Sequence, residues 1–169
     1  GVGSIKQVQI EKGKPSAGDA VIVLGGPAML IGLGGGSASS TQKTSDNSDL
    51  DYASVQRSNP EMQRRAQQVL DKFNERSSKN PITFIHDVGA GGISNAIPEL
   101  AKDTNLGVEI NLEKIDAADQ TMSPMELWCN ESQERYVFTI PMVKVPALDH
   151  ICKRERCPYS VAGVLTNEK

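Results

Sequence analysis

At 169 residues, with 18 Lys+Arg against 21 Asp+Glu and a formal net charge of -3, the chain has the length of one domain and no basic field that would hold nucleic acid. Aromatic residues make up only 4%, which argues against a stacking platform for single strands, and no apolar run reaches membrane-spanning length. The expected ligand is a small molecule.

The first residues, "GVGSIKQVQI", lack an initiator Met and a signal-peptide pattern, so the chain reads as a piece of a longer protein. Residues 4–10 alternate weakly, "KGKPSAGD" is a turn, and "AVIVLG" (20–25) is a short strand of the buried type. A glycine-rich loop follows, and then "TQKTSDNSDL" (41–50), polar and small, as an exposed connection. "DYASVQR" is a candidate short strand. "NPEMQRRAQQVLDKF" opens a helix, with Asn59 as N-cap, Pro60 at the first helical position, and Met62, Ala66, Val69, Leu70 and Phe73 at helical spacing. "PITFIHD" is the next strand, "ISNAIPELAKD" a helix and "GVEINL" an alternating strand. In "SPMELWCN", Ser123, Pro124 and Glu126 form a capping box ahead of a short helix. "ERYVFTI" is a strand, "VPALDHICKRE" a helix opened by Pro146, and "YSVAGVL" a closing strand. The alternation predicts an α/β or α+β domain with helices covering a mixed sheet.

Three places could carry chemistry. "GGPAMLIGLGGGSASS" (25–40) holds six glycines, a composition that lets backbone N–H groups approach an anion. No Lys follows as in a Walker A loop, and Ser37 stands where a dinucleotide fingerprint needs its third glycine. The pattern indicates phosphate without saying which. A plain surface loop is the alternative, although Met29, Leu30, Ile31 and Leu33 are apolar for one. In "TFIHDVGAGGIS" (83–94) an acid ends a strand before a glycine turn and a helix start, which aims a carboxylate and backbone N–H groups at one point. Asp87 is then a metal ligand, Mg²⁺ needing only one or two carboxylates beside phosphate oxygens and water, or else a cap for the next helix. Its neighbour His86 reads as a packed histidine on the opposite strand face. In "NESQERY", Glu131, Ser132 and Gln133 bring carboxylate, hydroxyl and amide to a strand entrance, a set able to bind a polyhydroxylated or amide-bearing ligand, or else an ordinary polar loop. Gln56 is a further amide, either facing ligand or at an edge. The three cysteines, Cys129, Cys152 and Cys157, are odd in number and lack CxxC spacing, which fits reduced structural thiols in a cytoplasmic protein.

In order, "VIVLGGPAMLIGLGGGSASS", "ASVQRSNPEMQRR", "FIHDVGAGGISNAIPEL", "MSPMELWCNESQERYV" and "CKRERCPYSVAGV" resemble phosphoribosylformylglycinamidine synthases, in their long single-chain form, over nearly all of residues 18–165. The resemblance implies the carboxyl half of the first aminoimidazole-ribonucleotide-synthetase-like module, with residues 1–17 a junction from the preceding domain and 18–169 a three-layer α/β domain of partly ferredoxin-like character. It implies Asp87 as a Mg²⁺ ligand, Gln56, Glu131, Ser132 and Gln133 as substrate contacts, and Gly25, Gly26 and Pro27 as nucleotide-associated. The implied reaction takes ATP, formylglycinamide ribonucleotide and glutamine through an iminophosphate, which turns a poor leaving oxygen into a phosphate that ammonia displaces. No catalytic residue is expected in this chain. The glutaminase domain and the amino half of the module are expected partners lying outside it, with no nucleic acid or membrane involved. By itself the chain is expected to be inactive. Two rival readings are another ATP-dependent synthetase of the same superfamily and a nucleotide-loaded module without chemistry.

Overall fold

A computed structural model of the chain describes residues 2–33, 59–75 and 80–168. Among these residues five strands form one sheet: β1 (Ala20–Gly25), β2 (Phe84–Asp87), β3 (Gly107–Ile110), β4 (Arg135–Ile140) and β5 (Tyr159–Thr166). Their spatial order is β2-β4-β1-β5-β3, and every neighbouring pair is antiparallel. The α+β class and the helical covering hold, whereas the expected mixed sheet is corrected to an antiparallel one. The reason lies in the crossovers. Helix α1 (Pro60–Asn74) links β1 to β2, and helix α4 (Val145–Glu155) links β4 to β5. Each joins strands of the same direction, as helical crossovers do, but one antiparallel strand is inserted between the two in both cases. These split units are the ferredoxin-like element of the fold.

Helices α1 and α4 cover one face of the sheet. Ala66, Val69, Leu70 and Phe73 of α1 and Leu148, Ile151 and Cys152 of α4 pack there on Ile22, Leu24, Phe138 and Ile140. Helices α2 (Ile93–Thr104) and α3 (Pro124–Cys129) cover the other, with Ile93, Ile97 and Leu100 of α2 against Val21, Val23, Phe84 and Val137. The result is three layers. Strand β1 lies at the centre and is buried throughout, which is why it reads as an unbroken apolar run. Opposite it, the partner of Val21 is Gly163 and that of Ile22 is Val161, so Ala162 is an extra residue in β5. This bulge lets Ala162 and Leu165, three apart, enter the same core.

The caps follow the sequence. Asn59 Oδ1 accepts the Met62 N–H at 3.0 Å, with Pro60 opening α1. At α3, Ser123 Oγ accepts from Glu126 N–H at 3.3 Å while Glu126 Oε2 accepts from Ser123 N–H at 2.7 Å. Boundaries differ by more than one residue in three places. Residues 4–10 hold a 3₁₀ turn at Gln7–Gln9, β2 begins only at Phe84, and β3 ends at Ile110. The last stop is chemical: the Asn111 side chain accepts the Glu113 N–H at 3.0 Å and starts a 3₁₀ turn. The expected connection at 41–50 and the strand at 51–57 lie outside the described residues.

Candidate functional site

Because β4 runs antiparallel between β1 and β2, the carboxyl ends of β1 and β2 flank its entrance. Gly25 faces Arg135 across the sheet and Asp87 faces Tyr136. The topology therefore gathers the glycine loop after β1, the Asp87 turn and the Glu131–Gln133 segment at one edge of the molecule.

Hydrogen bonds tie the three together. The Glu131 N–H donates to Ile31 O at 2.7 Å, and Ser132 Oγ accepts the Met29 N–H at 2.8 Å. Across the other gap, the Gly91 N–H donates to Glu131 Oε1 at 2.8 Å. Close backbone approach makes glycine necessary at two of the contacts. At Gly92, φ is +60° and an added Cβ would stand 1.9 Å from Asn130 O. At Gly32, φ is +64° and a Cβ would meet the Glu131 side chain at 2.5 Å. The glycines of both motifs thus serve, in part, to let these loops touch.

The individual residues take different places. Glu131 and Ser132 are buried, at 3% and 0% exposure, and their side chains hold neighbouring loops. Gln133 is half-buried. Glu134 follows in a left-handed conformation, φ +54°, and its Oε1 accepts the Asn59 N–H at 2.9 Å, joining the start of α1 to the same edge. Gly26 and Pro27 are half-buried and Gly25 is buried, its N–H donating to Pro158 O at 2.9 Å. Gln56 and the remaining glycines, 34–36, lie outside the described residues.

Asp87 is exposed, and its carboxylate has no partner among the described residues. It does not cap α2: the N-cap is Gly92, which makes no side-chain cap. No group of three or more His, Cys, Asp or Glu side chains that could hold a metal occurs among the described residues. A single free carboxylate fits Mg²⁺ shared with phosphate oxygens and water, and does not fit a cage made wholly of protein ligands.

His86 is half-buried rather than enclosed. Its ring meets Phe84 edge-on at 5.3 Å between centroids, and its Nε2 lies 3.5 Å from Asp103 Oδ2 and 3.4 Å from Lys12 Nζ. His150 belongs to α4, on the opposite face of the sheet, so the two histidines cannot share a metal. Burial pushes both the Cys152 and Cys157 thiols up, Cys157 to about 11, and neither is a nucleophile at neutral pH. A trough of about 770 Å³ lies elsewhere, between the amino-terminal segment and the β2 edge, lined by Ile5, Lys12, Leu70, Ile82 and Phe84 among others; none of the site residues borders it.

One functional candidate escaped the sequence reading. Arg135, at the start of β4, is 2% exposed and sits beneath the Asn130–Gln133 loop, donating to Ser132 O from Nε at 2.7 Å and to Asn130 Oδ1 from Nη2 at 3.0 Å. Its signal was a cation at an inward position of an otherwise apolar strand.

Known proteins share this architecture. The chain superposes on Thermotoga maritima PurL complexed with FGAR with a TM-score of 0.77, at 22% identity, covering 95% of this chain and 26% of that one. PurL of the same organism complexed with ATP gives 0.74 at 21%, covering 97% and 24%. Thiamine-monophosphate kinase from Stenotrophomonas maltophilia gives 0.57 at 11%, covering 93% and 50%. The chain thus spans about a quarter of the length of the PurL proteins it matches. At these identities the likeness establishes the fold. The model of "AIR synthase related protein, C-terminal domain" matches residues 16–169, nearly the whole chain, which therefore belongs to that family.

Proposed function

We propose that this chain is the carboxyl-half domain of a synthetase that converts formylglycinamide ribonucleotide, ATP and glutamine to formylglycinamidine ribonucleotide. The observation that carries the reading is the meeting of Asp87, exposed and without a side-chain partner among the described residues, with the Glu131–Gln133 loop through the Gly91–Glu131 hydrogen bond. The family assignment and the fold shared with PurL, solved with FGAR and with ATP, support it.

In this reading Asp87 holds Mg²⁺, which supplies charge neutralisation on the ATP phosphates. Gly25, Gly26 and Pro27 bring backbone close to nucleotide. The substrate loop acts in two layers. Glu131 and Ser132 have their side chains turned to Gly91 and Met29, so they fix the loop, and they offer ligand their remaining lone pairs and backbone. Gln133, half-buried, supplies an amide with two donors and an acceptor. Gln56, which lies outside the described residues, is the remaining substrate contact of this reading. Ammonia generation and the general base belong to domains outside this chain.

The test is Asp87→Asn in the assembled synthetase. The amide keeps the size and removes the charge, so the Mg²⁺ concentration for half-maximal rate rises at least about tenfold, equivalent to about 1.4 kcal/mol. An unchanged Mg²⁺ requirement would overturn the assignment.

A further inference from the structure

Arg135 heads the largest fully buried side chains of the described residues. Its strand face is that of Val137, in the core beneath α2. An apolar side chain of similar volume would sit there at lower cost, since an interior guanidinium loses its hydration. Burial draws its pKa down to about 10, so it remains a cation at neutral pH. No ion pair offsets that charge among the described residues, and Nη1 has no hydrogen-bond partner. The donors that are used all go to one loop: Nε to Ser132 O at 2.7 Å, and Nη2 to Asn130 Oδ1 at 3.0 Å with a longer contact to Asn130 O at 3.5 Å. The backbone of the same residue reaches the other two segments. Its carbonyl accepts the Val88 N–H at 3.1 Å, directly after Asp87, and its Cα stands opposite Gly25.

We propose that Arg135 is the positioning residue of this site, its forked guanidinium holding the Asn130–Gln133 loop from beneath in the shape presented to ligand. The proposal rests on the reading of that loop as the substrate loop. A fork that engages acceptors on two residues two apart, Asn130 and Ser132, fixes their separation, which a point charge or an apolar side chain does not. The loop then stays in register with the Asp87 turn, because Glu131 is also the acceptor for Gly91.

Amide hydrogen exchange on the full chain tests the clamp without ligand. In Arg135→Met the amides of Glu131 and Gly91 exchange about tenfold faster, as the local opening free energy falls, while the amides of β1 keep their protection. Arg135→Lys retains the cation without the fork and exchanges like the Met variant. Unchanged exchange at Glu131 and Gly91, protection lost evenly across β1 and β4, or full protection in the Lys variant would each overturn the clamp. In the assembled synthetase, Arg135→Met raises KM for formylglycinamide ribonucleotide about tenfold and leaves KM for ATP within about twofold, as expected when one ligand's contacts are lost. An equal rise in both would overturn the positioning of a substrate loop. A wild-type synthetase that does not saturate with the ribonucleotide would sink the substrate reading instead, a result separable from the exchange pattern.

Discussion

Asp87, Glu131 and Ser132 show how far a side chain's type constrains its role. All three are polar and stand beside glycine-rich or loop segments, yet only Asp87 is exposed, while the other two are interior. Burial of Glu131 and Ser132 was not legible, because nothing in "NESQERY" reveals that the loop after β1 folds over it. The glycines were legible as a need for close approach, and at Gly32 and Gly92 what they approach is protein. Gly92→Ala tests that: with φ at +60° and the Cβ on Asn130 O, it costs at least about 2 kcal/mol by denaturant unfolding. A cost near zero would mean the two loops do not touch. The cysteines divide similarly. Cys129 is half-buried, whereas Cys152 and Cys157 are enclosed with raised thiols, so iodoacetamide labels Cys129 in the native protein and the other two only after unfolding.

Among the elements, those with chemical punctuation at their ends were legible. Asn59 and Pro60 mark α1, and Ser123 with Glu126 marks α3, because a cap is a local bond that local sequence specifies. Asn59→Ala therefore lowers stability by about 1 kcal/mol, and Phe73→Ala, in the same helix but fully buried, by about 3–5 kcal/mol. The Ser123 backbone N–H and hydroxyl hold the Glu126 carboxyl below its ordinary value. A folded-state pKa lower than the unfolded one stabilises above the unfolded pKa and ceases to do so as pH falls through the folded value. The protection factors of the α3 amides, taken against the intrinsic exchange rate at each pH, should thus fall on acidification below the ordinary glutamate range, and Glu126→Gln should remove that dependence. Strand order was not legible: alternating strands and helices look alike whether crossovers join neighbours or skip one, and the inserted β4 and β1 are what make the sheet antiparallel. Arg135 was missed for a related reason, since "ERYVFTI" announces a strand but not which end of it lies under a loop.

For the molecule as a whole, the chain spans about a quarter of the length of the PurL proteins it matches, and the proposed activity would draw on domains beyond it. Its amino-terminal segment leaves Val2, Ile5, Val8 and Ile10 exposed, each above 60%, beside the trough at the β2 edge. Apolar side chains collected this way favour association. Light scattering of the full chain should show mass rising with concentration, and Ile5→Ser with Val8→Ser should return it toward a monomer; a monomer at all concentrations would argue against an exposed contact face. The central claim is that Asp87, the glycine turn and the Glu131–Gln133 loop form one ligand site. Amide chemical-shift mapping of the assembled synthetase on titration with formylglycinamide ribonucleotide tests it most directly. The account predicts joint, saturable shifts at Asp87, Gly91 and Glu131 to Gln133, with the trough residues Ile5 and Leu70 unmoved; saturable binding that leaves Asp87 and Gln133 unshifted would contradict it.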